Sequence, residues 1–193
     1  MEKLSPAQGK KLLKLARRAI ASHFSKTQLN FEQEKKEFSD PRGVFVTIKK
    51  NGKLRGCIGF PYPIKPLAEA VVEAAKAAAF HDPRFEPLQK EELRQIKIEI
   101  SVLTPLEEIC AKGQDILKEI KIGRDGLLVQ FFNFSGLLLP QVAIEQNWNA
   151  LQFIEATCNK AGLPSDAWLH PNCNIFKFQA EIFSEENKRK RKK

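Results

Sequence analysis

The sequence GVFVTIKKNGKLRGCIG, residues 43–59, contains two short strand-like runs on either side of Asn51-Gly52. An Asn-Gly pair between such runs strongly indicates a β-hairpin, because both loop positions of its favoured turn need a positive φ. A two-residue loop then fixes the register, which pairs Lys50 with Lys53, Ile48 with Arg55 and Val46 with Cys57. The stretch therefore predicts an antiparallel hairpin in which Arg55 and Cys57 share an otherwise apolar face.

Patterns on both sides of this hairpin indicate helices and further strands. Apolar residues recur at helical spacing in LSPAQGKKLLKLARRAIASHF, PIKPLAEAVVEAAKAAAF, QVAIEQNW and ALQFIEATCNKAGLP. Strand-like alternation or paired apolar runs occur in IKIEISVL, DGLLVQFFNFSGLLLP and NIFKFQAEIF, the last of which is predicted as one continuous strand. Hairpins with helices packed on them predict an α+β fold, with a mostly antiparallel sheet in a single domain.

Positive charge is concentrated at the C-terminal end of the sequence. The formal charge is +9, and six of these charges belong to KRKRKK, Lys188–Lys193, so that +3 remains for the rest of the chain. The tail has too little apolar content to order itself, and it predicts only weak, salt-dependent contact with nucleic acid. A merely solubilising tail is the alternative. The predicted organisation is a globular domain, residues 1–184, followed by a disordered basic tail, residues 185–193.

Composition and cysteine usage indicate a cytoplasmic protein without a metal or cofactor. The sequence has no apolar run long enough to span a membrane and no leader-like N-terminus. Its four cysteines are scattered and form no CxxC pair, which favours reduced thiols. Cys158, His170 and Cys173 come closest to a metal-binding set, but a structural site needs about four ligands at short paired spacings.

Arg55 and Cys57 are the strongest candidates for chemistry. Residues two apart on a strand lie about 7 Å from each other on one face, and a cation beside a thiol favours the reactive thiolate. Gly56 and Gly59 would let a ligand, or another backbone, approach closely. The alternative is a buried cysteine that packs as a small apolar side chain. Arg55 argues for function, because an arginine on an apolar face needs an anionic partner or a route to solvent.

The segment HDPRF, residues 81–85, offers a second group of candidates directly after a predicted helix. His81 can transfer protons near neutral pH, and Asp82 or Arg84 can orient it or bind an anion. The alternative is a helix stop followed by a solvent-facing ion pair, since a residue before proline is pushed out of the helical region. The sequence does not show whether this segment meets Cys57.

The segment LLLPQVAIEQNW, residues 137–148, passes from a strand into a helix, where free backbone N–H groups can bind anions. Gln141, Glu145 and Trp148 follow at helical spacing and would lie along one side. Core packing of Trp148 with an exposed Glu145 is the alternative. No phosphate-binding loop, nucleophile-elbow serine or zinc-helix motif is present, which disfavours kinase-like, esterase-like and zinc-protease chemistry.

Four segments taken together resemble the AMMECR1 domain family: LRGCIG, DPRFEPL, IEISVLTPLE and GLLLPQVAIEQNW. CNKAGLP and AWL extend the resemblance to roughly residues 8–184. The resemblance implies an intracellular α+β protein with a larger and a smaller lobe around an antiparallel sheet. It also implies a pathway shared with Memo-like and radical-SAM proteins, beside which bacterial relatives are often encoded, but no settled activity.

The resemblance also bears on the candidate residues. It implies that the functional centre lies in LRGCIG, here Leu54–Gly59, and Asp82, Arg84 and Phe85 fall on the family pattern as well. His81 and the basic tail lie outside that pattern, which weakens any Cys57–His81 pair.

Three functional hypotheses follow. In the first, the protein is a thiol-dependent enzyme or enzyme-like protein whose cleft joins the RGCIG hairpin to the Pro140-Gln141 turn. Cys57 would be the nucleophile or thiol ligand, and Arg55 would bind an anion or stabilise the thiolate. A small anionic or carbonyl-bearing ligand would contact Gly56, Gly59, Asp82, Arg84, Gln141, Glu145 and Trp148. The second hypothesis is a non-catalytic protein-interaction module at the same cleft. The third is weak nucleic-acid binding through Lys188–Lys193.

Overall fold

The computed structural model describes residues 3–25 and 28–185. The chain folds into two compact units, one of which runs as far as Leu103 and resumes at Glu181, while the other is Thr104–Ala180. Each unit combines helices with a four-stranded antiparallel sheet, so the predicted α+β class is confirmed. Lys188–Lys193 lie outside the described residues. None of the described helices is both long and apolar enough to cross a membrane.

The described part of the chain contains six α-helices, eight strands and three short 3-10 helices. In chain order they are α1 Pro6–Ser25, α2 Glu32–Glu37, β1 Val44–Lys50, β2 Lys53–Phe60, α3 Leu67–Phe80, the 3-10 helix Lys90–Arg94, β3 Ile96–Leu103, β4 Glu107–Glu108, the 3-10 helix Gly113–Asp115, α4 Ile116–Glu119, β5 Gly126–Phe131, β6 Phe134–Leu138, α5 Pro140–Glu145, α6 Ala150–Lys160, the 3-10 helix Ala167–Leu169, β7 Asn174–Phe178 and β8 Ala180–Ser184.

The first unit is a sheet of order β2-β1-β3-β8 with helices packed on it. α3 packs on β1 and β2, and α1 packs on α3 and β3. Val46, Ile48 and Ile98 are fully buried in the core that the sheet shares with these helices. Small side chains such as Ala74 and Ala78 line the buried side of α3, which lets the helix lie close to the strands.

The hairpin between β1 and β2 forms at the predicted turn but with a different register. Asn51 and Gly52 both have positive φ, 52° and 76°, as the Asn-Gly pair predicted. Beyond the turn the predicted pairing is wrong, because a β-bulge adds Arg55 to β2 as an extra residue. The observed pairs are Lys50 with Lys53, Lys49 with Leu54, Ile48 with Gly56, Thr47 with Cys57 and Val46 with Ile58.

This change of register moves Cys57 to the other face of the sheet. A Cβ at Gly56 would lie 2.0 Å from the Ala78 carbonyl oxygen, so only glycine fits where β2 packs on α3. Cys57 pairs with Thr47 and faces away from the core residue Val46. The expectation that Cys57 packs on the apolar face of the hairpin is therefore wrong.

The second unit contains a sheet of order β4-β7-β5-β6, with α6 packed on β5 and β6. Asn149 caps α6: its side chain accepts the N–H of Gln152, and the Gln152 side chain accepts the N–H of Asn149, both at 3.0 Å. Phe153 and Trp168 are buried in the core of this unit.

The segment NIFKFQAEIF was predicted as one strand but forms two. β7 pairs with β5, β8 belongs to the other sheet, and Gln179 lies between them. Each half keeps a strand-like pattern, so the sequence pattern alone gives no sign that the chain passes from one sheet to the other.

Candidate functional site

Cys57 lies in a polar row that crosses three strands of the first sheet. Thr47 of β1 pairs with Cys57 of β2 on one side and with Glu99 of β3 on the other. The Thr47 Oγ1 and Cys57 Sγ atoms are 3.2 Å apart, and the Lys49 ammonium lies 3.4 Å from the Glu99 carboxylate. Neither Thr47 nor Glu99 was predicted as a site residue. Both residues alternate with apolar neighbours along their strands. This alternation is the signal in the sequence that could have placed them on the face opposite the core.

Asp82 and Arg84 bind the backbone of Cys57. β2 is the edge strand of its sheet, so among the described residues the outward N–H and C=O groups of Cys57 have no neighbouring strand to pair with. The Asp82 carboxylate accepts the Cys57 N–H at 2.8 Å, and the Arg84 guanidinium donates to the Cys57 carbonyl oxygen at 3.2 Å. The structure thus brings the HDPRF segment to Cys57, which the sequence did not show.

Asp82 is buried, and both of its carboxylate oxygens accept hydrogen bonds. Its carboxylate accepts two hydrogen bonds from the Arg84 guanidinium, at 2.9 and 2.7 Å, and one from the Arg84 backbone N–H at 3.1 Å. These bonds from Arg84, together with the Cys57 N–H, outweigh the effect of burial and lower the pKa of Asp82 from 3.8 to about 2. Asp82 is therefore ionised near neutral pH and cannot act as a general acid.

The Cys57 thiol is protonated near neutral pH. Burial raises the pKa of this thiol above its ordinary value, and the negative charges of Asp82 and Glu99 act in the same direction. The hydrogen bond from Thr47 and the positive charge of Arg84 oppose the rise without cancelling it. Cys57 must therefore lose its proton before it can attack an electrophile.

Arg55 binds a carboxylate that the sequence did not reveal as its partner. Its guanidinium donates to both oxygens of Glu92, at 3.1 and 2.9 Å, and Lys50 donates to the same carboxylate at 2.9 Å. Hydrogen bonds from Arg55, then from the Gln89 N–H and Lys50, outweigh burial and lower the pKa of Glu92 to about 2. The anionic partner expected for Arg55 is thus Glu92. Among the charged groups that act on the Cys57 thiol, the cation is Arg84.

The outer edge of Arg84 faces solvent. The Arg84 side chain is 45% exposed, and its Nε and Nη2 atoms make the bonds to Asp82 and Cys57. Its Nη1 atom has no hydrogen-bond partner within residues 3–25 and 28–185. His81 is also exposed, and its side chain makes no hydrogen bond to Cys57. Arg84 is therefore the cation beside Cys57 that has a donor to offer a ligand.

The predicted residues Gln141, Glu145 and Trp148 belong to the second unit, whereas Cys57 and Arg84 belong to the first. Gln141 is half-buried in α5, and Glu145 is exposed at the end of that helix. Trp148 packs against the core of its own unit, as the alternative interpretation expected. A ligand-binding role for the three stays a prediction.

Sequence and structure comparisons identify the family. Residues 13–183 match the AMMECR1 family. The chain belongs to the AMMECR1 family. Protein MK0488 of Methanopyrus kandleri is 47% identical, over 96% of this chain and 92% of its own length, and protein TK0174 of Thermococcus kodakarensis is 45% identical, over 96% and 94%. The crystal structure of the uncharacterized protein PH0010 from Pyrococcus horikoshii has the same fold, with a TM-score of 0.91 and 44% identity, covering 96% of this chain and 95% of that one.

Packing accounts for the glycines of LRGCIG in this AMMECR1 chain. A Cβ at Gly59 would lie 2.2 Å from the Val44 carbonyl oxygen, and Gly56 is limited in the same way by Ala78. In both cases another backbone occupies the space that a side chain would need. Ligand contact at these two glycines stays a prediction.

The cysteines of this AMMECR1 chain are all free thiols, and their surroundings differ. Cys110 is exposed, whereas Cys158 and Cys173 are buried. Burial raises the pKa of Cys158 to about 11. No group of three or more His, Cys, Asp or Glu side chains within the described ranges is arranged to hold a metal ion.

Proposed function

We propose that this AMMECR1-family protein is a thiol-dependent enzyme or enzyme-like protein that acts on a small carbonyl-bearing or anionic molecule at Cys57. One arrangement carries the proposal: Arg84 donates to the Cys57 carbonyl at 3.2 Å, while its Nη1 atom has no partner among the described residues. A ligand oxygen bound at Nη1 would be held by the guanidinium whose charge acts on the thiol. Arg84 thereby takes the role first predicted for Arg55, which is bound to Glu92.

The chemistry that fits these groups is addition of the thiol to a carbonyl carbon. The Cys57 sulfur would bond to that carbon as the C=O π bond opens, and the thiol proton would pass to the carbonyl oxygen, so no further reactant is needed. Arg84 would stabilise the oxygen as negative charge develops on it. The Thr47 hydroxyl, 3.2 Å from Sγ, would hydrogen-bond the sulfur as its proton leaves.

The test is the alkylation of Cys57 by iodoacetate and by iodoacetamide, followed by mass spectrometry across the alkaline pH range. Each profile gives an apparent pKa and a limiting rate constant for the thiolate. Arg84→Gln is compared with Arg124→Gln, because Arg124 makes the same two-bond pair with Asp125 in the second unit. The exposed Cys110 serves as an internal reference.

We expect Arg84→Gln to lower the limiting rate constant of Cys57 by a factor of about three to ten, since a lost hydrogen bond to the reagent from a solvent-exposed side chain is worth about 1 kcal/mol. Arg124→Gln should leave it unchanged, and Cys110 should react alike in all three proteins. If only the apparent pKa moves, Arg84 adjusts the thiol but binds no ligand oxygen, and the proposal is wrong. The proposal is also wrong if Cys57 reacts only after the protein unfolds.

A non-catalytic role for the same surface is the second candidate. The raised pKa of Cys57 favours it, because a protonated thiol is a poor nucleophile. The surface would then bind a partner protein, and the family resemblance suggests a Memo-like or radical-SAM protein. In a binding assay with a purified Memo-like protein, Cys57→Ser should retain binding whereas Arg84→Gln should weaken it. No binding by the unmodified protein would remove this candidate.

A further inference from the structure

A second surface of the first unit is separate from Cys57 and Arg84. It is a groove of about 750 Å³ beside α1. Its walls come from α1, from the end of the 3-10 helix Lys90–Arg94, from the start of β3 and from the chain after β8. We call this surface the α1 groove and define it by its lining residues, which are Lys10, Leu13, Lys14, Arg17, Arg18, Leu93, Arg94, Ile96, Lys97, Ser184 and Glu185.

The α1 groove is strongly basic, with six cations and one carboxylate. Two of the cations have structural roles. Arg17 binds the Glu185 carboxylate and the carbonyl oxygens of Leu93 and Ile96, and Arg18 binds Glu34. The other four cations make no ion pair within the described ranges, and all four are exposed: Lys10, Lys14, Arg94 and Lys97. An anionic partner could therefore bind them without breaking an existing pair.

The lining between these cations is apolar and lacks aromatic rings. It consists of the half-buried Leu93 together with Leu13 and Ile96, which are buried at 7% and 1% exposure. Surfaces that bind single-stranded nucleic acid combine positive charge with aromatic side chains on which bases stack, and this groove has none. Apolar side chains bordered by cations instead complement a peptide that has apolar residues on one side and carboxylates at the margins.

The spacing along α1 suits such a peptide. Lys10, Lys14 and Arg18 follow at four-residue intervals and form one row on the helix. At 1.5 Å per residue the row is roughly 12 Å long, which is about two turns of a helix laid beside it. Arg94 and Lys97 supply cations at the opposite wall.

We propose that the α1 groove is a docking site for an acidic amphipathic segment of a partner protein. The apolar residues of the segment pack on the half-buried Leu93 and on the aliphatic stems of the lining lysines, and its carboxylates pair with Lys14, Arg94 and Lys97. This function is independent of the chemistry proposed at Cys57.

The test uses the full chain and three fluorescein-labelled probes. The first is a synthetic helical peptide with leucine at every third and fourth position and glutamate between them. The second has serine in place of each leucine, and the third is a single-stranded oligouridylate of equal charge. Affinities are measured by fluorescence anisotropy for the unmodified chain and for the triple variant Lys14→Glu/Arg94→Glu/Lys97→Glu.

A second triple variant with the same change in net charge provides the control: Lys36→Glu/Lys53→Glu/Lys121→Glu. These three lysines are exposed and do not line the α1 groove. Circular dichroism confirms that both triple variants are folded, and residues 186–193 are kept in every protein so that the tail contributes equally.

We expect the leucine-bearing peptide to bind, and the groove variant to weaken its binding by about tenfold or more, because contacts with several opposite charges are replaced by repulsion. The control variant should change the affinity by less than about threefold, since distant charges are screened by salt. Equal binding of the serine peptide, tighter binding of the oligouridylate, equal effects of the two triple variants, or no binding of the first peptide would each overturn the proposal.

Discussion

Two aspartate–arginine pairs in different units of the molecule have nearly the same geometry. Arg84 binds Asp82 at 2.9 and 2.7 Å, and Arg124 binds Asp125 at 2.7 and 2.8 Å. In both pairs the aspartate is buried, and the arginine is close to half exposed, 45% and 43%. Each carboxylate also accepts a backbone N–H from outside the pair, that of Cys57 at 2.8 Å or that of Lys121 at 2.9 Å, and Asp82 accepts the Arg84 N–H as well.

The two pairs differ in what they hold. Asp125 binds an N–H only four residues away and therefore closes a local turn. Asp82 binds Cys57 across 25 residues and thereby fixes an edge strand that carries a thiol. The arrangement of carboxylate and guanidinium is thus not evidence of function by itself. What marks the first pair as a candidate site is the thiol next to it, and the second pair provides a matched control.

The largest effect should come from removing either carboxylate. Asp82→Ala leaves the Cys57 N–H without its acceptor and Arg84 without its partner, and Asp125→Ala does the same to Lys121 and Arg124. Because each arginine can turn to solvent, we expect each variant to lower the free energy of unfolding by about 2–3 kcal/mol in urea denaturation. Only Asp82→Ala should speed the alkylation of Cys57, since it loosens the edge strand and removes a negative charge beside the thiol.

Faster alkylation of Cys57 in Asp125→Ala would show that the two pairs are not independent. An unchanged stability of Asp82→Ala would mean that the hydrogen bond to Cys57 does not hold β2.

Local signals in the sequence predicted much of the fold but not the details that depend on packing. Asn51-Gly52 specifies its turn by itself, because the conformation of two residues is enough. The bulge at Arg55 goes together with a close approach of Gly56 to the Ala78 carbonyl of α3, a contact that no local pattern encodes. A one-residue slip moves the rest of a strand to the opposite face, so the bulge determines the position of Cys57.

Part of the candidate site was predictable as a set of residues, but its arrangement was not. Family motifs pointed to Cys57, Asp82 and Arg84, which the structure brings together. The partner of Arg55 was not predicted, because Glu92 is 37 residues away and its visible signal is that of a helix start. Pairings over such distances follow from the tertiary fold, whereas charge and spacing show only which residues need a partner.

Acid should abolish the difference in stability between the unmodified protein and variants in which asparagine replaces either aspartate. The pKa of Asp82 is lowered from 3.8 to about 2, so its ionised form stabilises the fold above pH 3.8, and this contribution is lost as the pH falls toward about 2. The loss amounts to about 2 kcal/mol. Burial acts to raise the pKa of Asp125, but hydrogen bonds from Arg124 and from the Lys121 N–H outweigh it, so this pKa is lowered as well. Asp82→Asn should be less stable than the unmodified protein at neutral pH and equally stable near pH 2.

The measurement is urea denaturation at several pH values, with Asp125→Asn and Glu92→Gln as parallel variants. Glu92 has its pKa lowered from 4.5 to about 2, so it adds a loss in the same range. A stability of Asp82→Asn that declines with acid as steeply as that of the unmodified protein would contradict the assignment of a low pKa to Asp82.

The smallest effect is expected from removing the Thr47 hydroxyl, which lies beside the Cys57 thiol. This change tests whether the hydroxyl influences the reactivity of Cys57. Thr47→Val keeps the shape of the side chain but removes the 3.2 Å hydrogen bond to Sγ, one of the interactions that oppose the raised pKa of the thiol. We expect the alkylation rate of Cys57 below its pKa to fall by a factor of about two to five, the usual worth of one such bond. Thr157→Val, which removes a 2.7 Å bond to the Phe153 carbonyl in the other unit, should not change it. An unchanged rate in Thr47→Val would mean that the hydroxyl does not influence the thiol.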